Sequence, residues 1–87
     1  MTLQQKELFR AAILKVLDAN HSRFGLGVPA VCHLMAPFGF FEPDGSEVLE
    51  EIEYLAGKEM VEEVLKKISR ENRAWRISDV GRAFLDV

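Results

Sequence analysis

Apart from ordinary surface charge, the residues of this chain that could do chemistry are Cys32, His33 and His21. Cys32 and His33 are neighbours, so on a helix their side chains diverge by ~100°. His21 is separated from them by a stretch holding Gly25, Gly27 and Pro29, and no zinc-ligand spacing results. The same divergence removes a Cys–His nucleophile pair. Gly25-Leu26-Gly27 lacks the strand and the further glycine of a nucleotide loop. No enzyme, metal or cofactor is expected, and Cys32 and His33 read as core or near-core residues of an apolar helix.

The remaining chemistry is charge, and it is unevenly distributed. The net charge of −3 conceals an acidic segment and a basic one. Residues 42–63 hold nine acids against Lys58, a local −8, and residues 64–82 hold six bases against Glu71 and Asp79, a local +4. The two segments should prefer different partners.

Helices and a hairpin must carry these charges. The stripe Phe9, Ala12, Ile13, Val16, Leu17 predicts an amphipathic helix over residues 2–20 that stops at Asn20, followed by a turn at residues 24–27. Pro29 opens a short, largely buried helix over 29–35, and Pro37 and Gly39 end it. Asp44 caps a third helix over 44–56, with Glu47 reaching back to it, Val48, Ile52 and Leu55 on its core stripe and Gly57 closing it. Glu47, Glu50, Glu53 and Tyr54 then face away from the core.

Local periodicity over 58–69 favours a helix, through Val61, Val64, Leu65 and Ile68. Residues 75–78, however, alternate like a strand, and a lone strand needs a partner. Asp79 caps a last short helix over 80–86.

Two stretches resolve the conflict by resemblance. Residues 52–62, IEYLAGKEMVE, and 75–85, WRISDVGRAFL, are similar to the helix-3-into-wing and wing-into-final-helix passages of winged-helix domains. The resemblance covers roughly the C-terminal half. It implies one α+β domain over 1–87: a small winged helix, with a three-helix bundle, a C-terminal β-hairpin wing over 60–78 and a short final helix. In that family the third helix usually enters the DNA major groove and the wing contacts backbone or minor groove. The chain departs from the pattern in the long connection over 36–43 and in a third helix without Lys or Arg before Lys58.

That departure matters, because non-specific DNA affinity comes from cations on phosphates. Glu47, Glu50 and Glu53 would each oppose a nearby phosphate by about 1 kcal/mol even in water-like dielectric. Recognition of DNA by helix 3 is not expected. The expected function is a non-catalytic regulatory module that binds duplex DNA through the wing residues Lys66, Lys67, Arg70, Arg73 and Arg76. The alternative is a protein-interaction module that offers a basic partner the face Glu47, Glu50, Glu53 and Tyr54, or offers a partner or a second copy the aromatics Phe38, Phe40 and Phe41. Trp75 is expected in the core of the hairpin.

The single cysteine rules out an internal disulfide and makes a reducing, cytoplasmic setting the expectation. The N-terminal MTLQQKELFR does not have the build of a secretory signal. Residues 24–41 lack Asp, Glu, Lys and Arg, but Pro29, Pro37 and three glycines interrupt them, so no membrane span is expected.

Overall fold

The computed structural model describes residues 2–21, 24–64 and 73–86. Helix α1, Leu3–Ala19, starts at a capping box in which Thr2 Oγ1 accepts from Gln5 N (3.1 Å) and Gln5 Oε1 accepts from Thr2 N (2.9 Å). It ends where Asn20 turns its own amide back, Nδ2 donating to Val16 O at 2.8 Å. Between these caps Phe9, Ala12, Ile13, Leu14, Val16 and Leu17 are buried, so α1 is the central support of the core.

Residues 26–27, expected as part of a turn, form a short strand β1, Leu26–Gly27. Gly25 makes this possible: its φ of +68° is unfavourable for other residues, and a Cβ there would lie 2.7 Å from Trp75 O. Strand β1 is too short to show a periodicity of two, and its pairing is set by a distant strand.

Helix α2, Val28–Leu34, carries Pro29 in its first turn. Val31 is its one fully buried residue, less than the expected burial, while Met35 just beyond it is fully buried as well. A single 3-10 turn, Ala36–Phe38, extends the path and ends at Gly39 with φ +92°.

Helix α3, Gly45–Gly57, buries Val48, Glu51, Ile52 and Leu55. Its cap is Asp44, whose carboxylate accepts from Ser46 N and from Ser46 Oγ, both at 2.9 Å. The cap thus accepts from a first-turn N–H as expected, with the Ser46 hydroxyl as a second donor. The helix runs through Gly57, and the left-handed residue that closes it is Glu59, with φ +61°. Glu59 N donates to Ala56 O and Met60 N to Leu55 O, both at 3.0 Å, which is the paired closure that glycine usually provides.

Strands β2, Val61–Val64, and β3, Ala74–Ile77, pair antiparallel, with Val61 opposite Ile77 and Val64 opposite Ala74. The strand alternative therefore holds over 61–64 against the local helical periodicity; residues 65–69 lie outside the described residues. Strand β1 pairs with the other edge of β3, giving an antiparallel sheet in the order β1-β3-β2 among the described residues.

Helix α4, Asp79–Leu85, begins one residue earlier than expected, because Ser78 rather than Asp79 is the cap. Ser78 Oγ accepts from Gly81 N at 3.2 Å and donates to Glu59 O, while Ser78 N donates to Met60 O at 3.0 Å. The turn after α3 and the start of α4 are thereby joined.

The described residues form an α+β fold of four α-helices and this sheet, around a core that includes Phe9, Ile13, Leu17, Ile52 and Trp75. No helix among them is long and apolar enough to cross a membrane.

The junction of α3 and α4 yields a stability prediction. A non-glycine residue in the left-handed region costs about 1–2 kcal/mol, so Glu59→Gly should stabilise the protein by about 1 kcal/mol. At Gly81 an added Cβ would lie 2.2 Å from Met60 O, and Gly81→Ala should cost about 1–3 kcal/mol through overpacking. Urea denaturation of the two variants measures both shifts, which have opposite signs.

Candidate functional site: the acidic helix and its flanks

Helix α3 distributes its carboxylates in three directions. Glu51 points inward and is buried at 5% exposure, where it accepts a hydrogen bond from Arg10 Nε on α1. The guanidinium carbon of Arg10 also sits 3.7 Å from the centre of the Tyr54 ring, and Lys58 Nζ lies 5.8 Å from the same ring. Tyr54, a candidate docking residue, is thus engaged by cations, and about half of it remains exposed.

Sequence reasoning missed Glu51 and Arg10. A signal was present, because Glu51 lies three residues after Val48 and four before Leu55, on the core stripe itself.

Glu53 points sideways to the hairpin. Arg73 Nη1 donates to Glu53 Oε1 at 3.0 Å, and Arg73 Nε and Nη2 donate to the two oxygens of Glu63 at 2.9 and 3.3 Å. One guanidinium therefore joins α3, β2 and the start of β3, with its carbon 4.8 Å from the centre of the Trp75 ring. The Arg73 hydrogen bonds hold the Glu63 carboxyl below its usual range, and the two carboxylates hold Arg73 even more firmly protonated than usual. On the neighbouring pair, Arg76 Nε donates to Glu62 Oε1 at 2.8 Å, directly across the strands.

These exposed pairs add little to stability individually. Their electrostatic consequence is larger, since both described wing arginines are neutralised at contact distance. The other wing candidates, Lys66, Lys67 and Arg70, lie outside the described residues. Trp75 is buried at 1% exposure, in the core as expected.

Glu47 and Glu50 point outward, exposed, and form no ion pair among the described residues. Next to the N-terminal end of α3 runs the aromatic connection, whose three phenylalanines do not act together. Phe40 is a core anchor, its ring edge-on to Phe9 at 5.1 Å and 86°. Phe38 is exposed at 39% and Phe41 at 78%.

Two open hollows flank this connection. One, of about 530 Å³, includes Cys32, His33, Phe41 and Glu42; the other, of about 310 Å³, includes Phe9, Phe40, Phe41 and Glu47. Partial burial pushes the Cys32 thiol up, with Asp44 adding to the effect, so it stays neutral near pH 7 and is a poor nucleophile. Among the described residues no group of three or more His, Cys, Asp or Glu could hold a metal ion.

No protein-family model matches the chain, and no curated protein or solved structure matches it either.

Arg10→Met leaves the Glu51 carboxylate buried without its partner, which should destabilise by about 3 kcal/mol, whereas adding Glu51→Leu should recover most of the loss. Urea titration of the single and double variants reads this.

A carboxylate whose folded pKa lies below its unfolded value adds stability above that unfolded value, and the contribution fades as pH falls toward the folded one. The groups concerned are Glu63, lowered by Arg73, and Asp44, lowered by its bonds from Ser46. Glu63→Gln and Asp44→Ala should each melt below wild type at neutral pH, and the gap should close as pH drops below about 4. Thermal melts across the acid range test it.

Proposed function

We propose that this chain is a non-catalytic winged-helix module that docks a basic protein partner on the outward acidic face of α3. The carrying observation is how its charges are arranged. Glu47 and Glu50 stand exposed without an ion-pair partner among the described residues, while Arg73 and Arg76 are held by Glu53, Glu63 and Glu62. Phosphate binding by either arginine would have to displace a carboxylate already at hydrogen-bond distance. It would also bring phosphate near Glu53, Glu62 and Glu63, each opposing it by about 1 kcal/mol at close range.

The winged-helix assignment draws support from the order of elements. The β2–β3 hairpin follows α3 directly and leads into a short final helix, as the resemblance implies. Cationic partners gain affinity and faster association from a single-sign face of this kind.

A second reading, duplex DNA binding, rests on the segment that connects β2 to β3. In chain order Lys66, Lys67 and Arg70 fall between β2 and β3, within the wing that the resemblance implies and that would contact backbone.

Fluorescence anisotropy separates the readings. A labelled lysine-rich peptide should bind the wild type and lose several-fold in affinity with Glu47→Gln plus Glu50→Gln, while a mixed-sequence duplex should not bind even at low salt. Duplex binding with a log–log salt slope near about −3, weakened by Lys66→Glu or Arg70→Glu, would establish the second reading and overturn the first.

A further inference from the structure

The most exposed phenylalanine of the chain is Phe41, at 78%. It belongs to the lining of both hollows that flank the connection, and so does Pro43. A large aromatic ring in water between two concave, largely apolar surfaces is a feature of docking sites, because a partner that fills both hollows also covers the ring.

The rim decides the occupant's charge. Glu42 edges one hollow and Glu47 the other, and among the described residues the two linings contain neither lysine nor arginine. Glu50, one turn of α3 beyond Glu47, and Asp44 at the helix cap extend the same sign along the exposed surface. Asp44 is held ionised, since its carboxyl is lowered by the bonds from Ser46.

The backbone gives the surface a fixed shape. Gly39 takes φ +92° and closes the 3-10 turn by donating to Ala36 O at 3.0 Å, while Phe40 N donates to Met35 O at 3.3 Å. Phe40 is clamped edge-on against Phe9. The residue next to the exposed ring is thus anchored in the core, so a partner meets a surface already ordered and loses less in ordering it.

We infer that the Phe41 surface is the docking site of a basic amphipathic segment of a partner protein, which places one large apolar side chain on each side of the Phe41 ring and its lysines or arginines over Glu42, Glu47 and Glu50. This rests on the protein-docking reading and names the site and chemistry of the partner. Recognition of this kind lays the apolar face of a basic helix against an apolar surface, with charge fixing orientation.

Two peptides of equal length and equal lysine content test it, one with leucines along a helical face and the other with serines at those positions. The leucine–lysine peptide should bind the wild type at least about tenfold tighter than the serine–lysine one, a difference of ~1.4 kcal/mol. Phe41→Ser should abolish that advantage without changing the circular dichroism spectrum, and bound peptide should shift amide signals across residues 36–47.

Binding of both peptides that weakens with Glu47→Gln plus Glu50→Gln but ignores Phe41→Ser would overturn the Phe41 site and leave the acidic-face reading standing. Binding of neither peptide would overturn both. Equal binding by a leucine–glutamate peptide would overturn the basic requirement.

Discussion

A carboxylate between two packed helices is tolerable only where a cation meets it. Glu51 is such a carboxylate, and Arg10 from α1 supplies the cation. The pairing sets how α3 rotates about its own axis. A rotation of one residue, ~100°, would take Glu51 off Arg10 and turn Val48, Ile52 and Leu55 away from the core. With Glu51 fixed, Val48, Ile52 and Leu55 face inward, Glu47 and Glu50 face water, and Glu53 comes within reach of Arg73. Tyr54 stacks over the same arginine, so a residue on the outer face of α3 is tied to the buried pair beneath it.

Once α3 is oriented, the sheet follows. Strand β3 lies between β1 and β2, and Ala74, Trp75 and Ile77 are buried on it. Arg73 at its start joins α3 and β2, Gly25 lets β1 approach Trp75, and Ser78 at its end joins the turn of Glu59 to α4. The strong charge asymmetry along the chain is thereby partly cancelled in space. The acids 53, 62 and 63 meet the bases 73 and 76, and the acidic surface that remains lies toward the N-terminal end of α3, beside Phe41.

Much of this is legible in the sequence wherever the determinant is local. The stripe and caps of α1, the proline start of α2 and the Asp44 cap of α3 depend on residues within a turn of one another. Strand β2 does not: its periodicity favours a helix, and only pairing with β3 makes Val61–Val64 extended, so only the winged-helix resemblance points to a strand there. Strand β1 is two residues long and depends on Trp75, far away in sequence. Glycine is the usual residue to close a helix, which points to Gly57, whereas the chain closes α3 two residues later at Glu59.

The candidate site was legible in residue type and not in pairing. Glu53 and Arg73 lie twenty residues apart, and no spacing rule joins them. The aromatic connection was visible as a group, but which phenylalanine anchors and which stays exposed depends on Phe9 of another helix.

Arg73, just ahead of β3, and Arg76 on β3 are held by carboxylates, which is what the proposal sets against phosphate binding. The most direct measurement is the guanidinium Nε–H signal of Arg73 and of Arg76, recorded by NMR at low salt as mixed-sequence duplex DNA is added. Both signals should stay where they are, and that of Arg73 should shift when Glu63 is replaced by Gln. Movement of either arginine signal with added duplex would contradict the proposal.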